Sequence, residues 1–319
     1  MFILTGGAGF IGSCFLKLLN DNGIEDIIVV DNLGNSEKWK NLLGKKFINY
    51  VNKNQFFDKL ANYRADNIKA IFHFGACSNT TEKNVDYLLQ NNYNFSWELA
   101  KYARNNNIRF VYASSAATYG LGEYGYTEDN IFDLKPLNPY GYSKLLFDQR
   151  VVKYGFDEHF LGIKFFNVFG PNEYHKGEMA SMVFKAYNQV MKTGKIRLFK
   201  SLNPNYGDGE SVRDFVYVKD AIQAVWQLYQ NEITGIFNLG TGRARSWNDL
   251  AASVFKAMGL PQNIEYFDMP ENLQKQYQYY TQADMTKFFK VLPNFKFMNL
   301  EESIDDYVNN YLIHNYKYY

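Results

Sequence analysis

Apolar positions along this chain fall into two alternating rhythms. Short, mostly apolar runs at Met1 to Leu4, Ile27 to Val30, Ala70 to Phe74, Arg109 to Ala113 and Phe160 to Phe166 predict strands buried on both faces, because a half-exposed strand would alternate with polar residues. Between them lie stretches with helical spacing, from Phe10 to about Asn22, closed by Asn22-Gly23, and from Val85 to Asn105. A third helix opens at Asn138-Pro139, after a loop from Leu121 to Leu137. Strands alternating with helices predict right-handed crossovers and a doubly wound parallel sheet.

Beyond Phe166 the rhythm loosens. Tyr174 to Ser181 leads into an amphipathic helix to about Lys192, followed by a Gly/Asn/Pro-rich loop from Ser201 to Glu210. Ser211 to Asp220 precedes another helix to Tyr229, and Phe237 to Gly240 reads as a late strand returning to the sheet. Helices are predicted again at Trp247 to Met258 and Leu300 to His314. No repeat or low-complexity linker marks a clean cut. The expected organisation is α/β: a Rossmann-type dinucleotide-binding domain from residues 1–166 plus about 212–242 and 281–290, and a smaller, discontinuous substrate-binding domain from about 167–211, 243–280 and 291–319.

Composition narrows the function classes. At 319 residues, 46% hydrophobic and 21% charged, the chain has the make-up of a soluble globular protein. A net charge of +1 supplies no strong field for nucleic acid or anionic membrane, so neither is expected as a partner. No apolar run nears the ~18 residues that suggest a bilayer span, and the first strand takes the place a signal peptide would need, so a cytoplasmic location is expected. Two cysteines, Cys14 and Cys77, make neither a disulfide framework nor a metal cluster, and no metal is expected.

The chemistry begins at Leu4-Thr5-Gly6-Gly7-Ala8-Gly9-Phe10-Ile11-Gly12, which joins a strand to a helix through glycines spaced three apart. Gly6 permits the tight turn, Gly9 lets the backbone approach a pyrophosphate, and Gly12 lets the helix pack against the sheet, while the helix N-terminus offers N–H donors to phosphate. Asp31 ends the second strand 19 residues after Gly12, close to the ~20 at which a ribose-reading carboxylate stands. Asp31 alone favours a free 2′-hydroxyl and hence NAD, whereas Lys38 and Lys53 can hold a 2′-phosphate and hence NADP; residue chemistry leaves both open. His73, inside a buried strand, reads as a core histidine.

Tyr140 and Lys144 stand four apart on the third helix and share a face. A free tyrosine with pKa ~10 is a poor base at neutral pH, and a neighbouring ammonium and a positive nicotinamide both favour its phenolate. Ser115, at a strand end, can hydrogen-bond a substrate hydroxyl while the tyrosine takes its proton and a hydride leaves for nicotinamide. A Tyr-x-x-x-Lys pair recurs by chance in a chain with 26 tyrosines; the glycine turn and Ser115 give it weight.

Together these residues resemble the extended short-chain dehydrogenase/reductases. Gly75 to Glu82, Tyr112 to Gly120, Tyr140 to Lys144, His175-Lys176-Gly177, Arg213 to Val218 and Tyr280 to Asp284 narrow the resemblance to the ADP-L-glycero-D-manno-heptose 6-epimerase family. That resemblance implies an isomerase that inverts C6 of an ADP-heptose used for the lipopolysaccharide inner core, by transient oxidation to a ketone and re-reduction with bound NADP. It also implies a homo-oligomer, a pentamer by analogy. Re-presenting the ketone moves its oxygen, so a second proton-transfer group is required; the family's His-Lys-Gly lysine implies Lys176, whose surroundings must lower a pKa of ~10.4.

By the same matching, the cofactor meets Gly6, Gly9, Phe10, Ile11, Gly12, Asp31, Asn32, Lys38, Lys53, Phe74, Gly75, Ala76, Cys77, Ser78, Asn91, Lys144, Val168 and Lys176. The ADP-heptose meets Ser115, Asn167, Glu178, Lys185, Phe199, Lys200, Ser201, Leu202, Arg213 and Tyr277. An arginine fork suits a diphosphate, although a salt bridge from Arg213 to Asp214 or another acid is the competing reading. Phe74, Glu178 and Lys185 depart from the family pattern of a carboxylate, a serine and a histidine at these places. A hexose 4-epimerase shares the serine, tyrosine and lysine and does not need Lys176. A 4,6-dehydratase would carry an Asp-Glu pair where Ala116-Ala117-Thr118 follows Ser115. A non-catalytic cofactor sensor would lack the tyrosine and lysine.

Overall fold

Twelve strands form among the residues described by the computed structural model, 1–274 and 277–319. They are β1 (Phe2–Thr5), β2 (Ile27–Asp31), β3 (Asn49–Asn52), β4 (Ala70–His73), β5 (Arg109–Ser115), β6 (Phe160–Phe165), β7 (Asn167–Phe169), β8 (Ile196–Phe199), β9 (Val212–Tyr217), β10 (Gly235–Leu239), β11 (Ala244–Ser246) and β12 (Ile264–Phe267). The apolar runs of the sequence all enter one seven-stranded sheet, ordered β10-β6-β5-β4-β1-β2-β3, and every pairing in it is parallel. Strand order reverses between β1 and β4, which opens a crevice at the carboxyl ends of the strands.

The unbroken apolar character of these runs follows from burial on both faces. Phe2, Leu4, Ile27, Val29, Ala70 and Phe72 point into one core with Phe15 of the first helix (Phe10–Asp21) and Trp226 of the helix Val218–Gln230. Their neighbours Ile3, Ile28, Val30 and Ile71 point into the other core, with Trp97 and Leu99 of the helix Phe95–Asn105 and Phe147 and Val151 of the helix Pro139–Lys153. A shift of one residue would exchange the two sets, so the pleat locks the register. Two smaller sheets, β11-β9-β7 and β12-β8, complete the strand set. No helix among the described residues is long and apolar enough to cross a membrane.

One expectation is corrected. The stretch from Val85 to Asn105 is not a uniform α-helix: a helical turn at Val85–Leu88 passes through a π turn at Leu89–Asn94 before Phe95–Asn105. The wider turn brings buried Asn92 inward, where its Oδ1 accepts from the Cys77 N–H at 2.7 Å and its Nδ2 donates to the Cys77 carbonyl at 3.0 Å and Ser143 Oγ at 3.0 Å. Periodicity does not encode the extra residue because tertiary hydrogen bonds hold it.

His73 is a core histidine. Its ring lies 2.6 Å from Thr5 Oγ1 and 2.7 Å from Ser96 Oγ, and burial pushes its pKa down to about 3, so it stays neutral. The chain end folds back onto the segment after β7, where the Tyr319 N–H donates to Asn172 Oδ1 at 2.8 Å and the Tyr174 hydroxyl donates to the Lys317 carbonyl at 2.8 Å. Replacing Asn92 with alanine strips three partners from buried or half-buried polar groups; Asn92→Ala is expected to cost about 1–3 kcal/mol, read from the urea unfolding midpoint.

Candidate active site

The site is built outward from the end of β1. Gly6 adopts φ +69°, and a Cβ there would lie 2.5 Å from the Gly75 nitrogen, so two backbones touch where β1 and β4 end. A Cβ on Gly12 would lie 2.1 Å from the Gly6 carbonyl oxygen, which lets the first helix start directly beneath the turn. Gly9 is the N-cap of that helix, with no side-chain cap and no acidic residue in the first turn. Its first N–H groups therefore suit a phosphate. This cradle fits a dinucleotide's pyrophosphate on geometry alone.

The cradle opens into a cleft of ≈ 1070 Å³, at the upper end of the ~300–1,000 Å³ usual for small-molecule sites. Of the proposed cofactor contacts, Gly6, Gly9, Phe10, Ile11, Gly12, Asp31, Asn32, Lys38, Phe74, Gly75, Ala76, Cys77, Ser78, Lys144, Val168 and Lys176 line it. Lys53 and Asn91 lie outside this wall and hydrogen-bond to each other. The Asp31 carboxylate is occupied: Oδ2 accepts from the Ala8 N–H at 2.9 Å, and Oδ1 accepts from the Asn32 N–H at 2.7 Å and pairs with Lys38 at 2.6 Å. Its charge is thereby compensated at the position where an adenosine ribose is expected.

Ser115, Tyr140 and Lys144 line the same cleft. Asn138 caps the tyrosine helix by accepting from the Gly141 N–H at 2.8 Å, and Pro139 occupies its first position. The phenol of Tyr140 is raised by burial, and its hydrogen bond with Ser115 opposes the rise. Lys144 stands one turn further along the same helix. Its ammonium donates to the Ala113 carbonyl at 2.8 Å, and burial pushes its own pKa down to about 8.

Lys176 sits in the turn Tyr174–Met179, its ammonium 5.3 Å from the centre of the Phe10 ring. Burial lowers its pKa, against the opposing charge of Glu173, the direction a proton-accepting lysine requires. Glu173 is itself fully buried and accepts from the Ser181 N–H at 2.5 Å and Ser181 Oγ at 2.8 Å, which pins the base of the turn. Asn41 ties this turn to the glycine turn, donating to the Ala8 carbonyl at 2.9 Å and the Asn172 carbonyl at 3.1 Å.

Of the proposed sugar-nucleotide contacts, Ser115, Asn167, Glu178 and Lys185 line the cleft, whereas Phe199, Lys200, Ser201, Leu202, Arg213 and Tyr277 do not. Two of the three departures from the family pattern meet: Lys185 Nζ donates to the Glu178 carbonyl at 2.6 Å and pairs with its carboxylate at 3.2 Å. Phe74 packs edge-on against Phe15 and Phe165. Arg213 makes no salt bridge among the described residues. Asp214 instead accepts from the Thr241, Gly242 and Ala283 N–H groups, at 2.7, 2.9 and 3.1 Å. The Arg213 guanidinium lies 5.5 Å from the ring centres of both Trp247 and Tyr277 and donates to the Val212 and Gln278 carbonyls, while burial lowers its pKa. A buried arginine with no carboxylate partner suits an anionic ligand. Sequence reasoning did not assign His175, Trp247, Gln278 and Thr281 to the wall; His175 and Thr281 lie inside quoted motifs, whereas nothing in the spacing marks Trp247 and Gln278.

The chain is similar to known proteins over nearly its whole length. The family model described as the NAD dependent epimerase/dehydratase family matches residues 2–240. An ADP-L-glycero-D-manno-heptose-6-epimerase of Nitratidesulfovibrio vulgaris (strain DP4) is 48% identical over 316 residues, covering 98% of both chains. A protein of the same name from Fusobacterium nucleatum subsp. nucleatum is 44% identical over 325 residues, again covering 98% of each. The crystal structure of the Helicobacter pylori ADP-L-glycero-D-manno-heptose-6-epimerase superposes with a TM-score of 0.84 at 30% identity, covering 97% of this chain and 95% of that one. If the close backbone contact shapes the cradle, Gly12→Ala is expected to cost about 1–3 kcal/mol in unfolding free energy and to release bound nucleotide during gel filtration; retention equal to wild type would reject that role.

Proposed function

Because the chain belongs to the NAD dependent epimerase/dehydratase family, we propose that it interconverts ADP-D-glycero-D-manno-heptose and ADP-L-glycero-D-manno-heptose at C6, in the supply of lipopolysaccharide inner-core precursors. The carrying observation is that one cleft holds two separate proton-transfer groups on different elements, the phenol of Tyr140 and the desolvated amine of Lys176. An epimerisation that re-presents a ketone with its oxygen moved needs two such groups.

In this reading Ser115 orients the C6 hydroxyl and shares its hydrogen bond with Tyr140. When bound, the oxidised nicotinamide supplies a hydride acceptor and a positive charge beside the phenol. Tyr140 takes the hydroxyl proton in one configuration, and Lys176, whose pKa desolvation lowers, serves the other. Lys144 keeps its ammonium below about pH 8, anchored on the Ala113 carbonyl. Arg213, free of any carboxylate among the described residues, binds the diphosphate with Tyr277 and Trp247 at its faces. Asn167, Glu178 and Lys185 hold the sugar, and Phe199 to Leu202 the nucleoside.

The cofactor in this reading is NADP. Support comes from the Lys38–Asp31 pair: the acid that would repel a 2′-phosphate is already neutralised at 2.6 Å, and Lys53 adds a second cation on that side. A cytoplasmic homo-oligomer completes the reading.

Incubation with synthetic ADP-heptose, with the C6 epimer ratio followed by NMR, tests the activity; a ratio that never moves from either starting epimer overturns it. Lys176→Ala is expected to slow interconversion about 100-fold or more while the protein keeps its bound nucleotide, and wild-type turnover from both epimers would remove the second-base role. Denaturing the purified protein and weighing the released nucleotide decides between NADP and NAD, a mass matching NAD being the result against the Lys38 argument.

A further inference from the structure

Beneath the reacting groups lies a charged pair that the proposed mechanism does not use. Lys164 of β6 and Asp148 of the tyrosine helix are both 0% exposed, with the lysine ammonium 2.7 Å from Asp148 Oδ2. We infer that this pair is a strut holding Ser115, Tyr140 and Lys144 in mutual register, which makes Lys164 and Asp148 positioning residues for the hydroxyl chemistry; the inference rests on the reading of the site given above.

The geometry is that of a three-way tie. Lys164 stands opposite Ser114 in the parallel pairing of β5 with β6. Besides Asp148, its ammonium donates to Thr118 Oγ1 at 2.8 Å and lies 5.0 Å from the centre of the Tyr119 ring. Thr118 Oγ1 donates in turn to the Ser115 carbonyl at 2.8 Å, and Ser114 Oγ donates to Asp148 Oδ2 at 2.5 Å. Asp148 follows Lys144 by four residues and Tyr140 by eight, on the same side of one helix. The ion pair therefore joins three places: its ammonium reaches the turn after Ser115, and its carboxylate ties the helix that presents the tyrosine and lysine to the strand that presents the serine.

Stability does not explain such a pair. Two fully buried charges lose several kcal/mol of hydration each, and an apolar pair of similar volume is often as stable or more so. What apolar side chains do not supply is direction and charge. The hydrogen bonds fix angles that packing leaves soft, and reacting groups displaced by ~1 Å can lose ~100-fold in rate. The charge acts on the site as well. Lys144 is faced by Asp148 from its own helix, by Cys77 from the loop after β4 and by neutral His73 within β4. Tyr140 is faced by Ser115, Cys77 and Asp148. Asp148 favours the protonated form of both, so removing its charge shifts the loss of the Lys144 ammonium to lower pH.

Three variants test the strut: Thr118→Val, Asp148→Asn, and the paired Lys164→Met with Asp148→Leu. Each is purified with its bound nucleotide and compared with wild type for thermal midpoint, nucleotide retention, kcat, KM and the pH profile of kcat. The paired variant is expected to fold and retain nucleotide while kcat falls about 10- to 100-fold with KM within about twofold. Asp148→Asn is expected to move the alkaline limb to lower pH. A paired variant with wild-type kcat and an unmoved limb, changed only in thermal midpoint, overturns the proposal. Should the paired variant fail to fold, Thr118→Val decides: a several-fold loss of kcat supports the strut and an unchanged kcat overturns it. If wild type leaves ADP-heptose untouched, the substrate reading fails instead. The same variant-to-wild-type ratios are then read on reduction of the bound nicotinamide by other nucleotide sugars, followed by its near-ultraviolet absorbance.

Discussion

Where β1 ends, three stretches of backbone come so close that no side chain fits between them. Gly6 touches the chain leaving β4 at Gly75, and Gly12 lies beneath the Gly6 carbonyl. That contact sets the start of the first helix under the strand end and leaves its uncapped N-terminus facing the cleft. The rest of the site is registered to this point. Asp31 holds the turn through the Ala8 N–H, and Asn41 holds it through the Ala8 carbonyl while reaching the Asn172 carbonyl, so the turn carrying Lys176 is placed relative to the phosphate cradle by hydrogen bonds.

Three cations in and beside the cleft share a character that net charge does not reveal. Lys144, Lys176 and Arg213 all have their pKa lowered by burial, and none is seated in a carboxylate salt bridge among the described residues. Lys144 and Arg213 lean on backbone carbonyls, and Lys176 lies over the Phe10 ring. Such groups pay for their dehydration unless an anion arrives, which is the condition in which phosphates bind well. The contrast is with Lys185 and Glu178, where Glu178 is 93% exposed and the pair contributes little to stability. A chain of net charge +1 thus carries a locally cationic, anion-seeking cleft.

Much of this was legible in advance for local reasons. Both-face burial in a parallel sheet writes itself as unbroken apolar runs, and all six such runs became strands of the central sheet, Phe237 to Gly240 included, while the half-exposed edge strand β3 carried no such run. Glycines at positions 6, 9 and 12 and a Tyr-Lys pair one turn apart are likewise local patterns, each tied to a backbone or helix geometry. The π turn at Leu89–Asn94 escaped because its cause, the bonds from Asn92 to Cys77 and Ser143, lies across the fold. The choice between a structural and a free Arg213 also escaped, since it turned on Asp214 being taken by the N–H groups of Thr241, Gly242 and Ala283.

The amino-acid order alone determined the layering, the strand set and the residue types available for phosphate and hydroxyl chemistry, because hydrophobic period and turn chemistry act over a few residues. Only the tertiary structure decided the electrical state of those residues. Desolvation and partner choice depend on neighbours far away in the chain: burial raises the Tyr140 phenol; Lys38 reaches back to Asp31; and Lys164 finds Asp148 and Thr118 on two other elements. A charge is set by everything that surrounds it, and no window of sequence contains that surrounding.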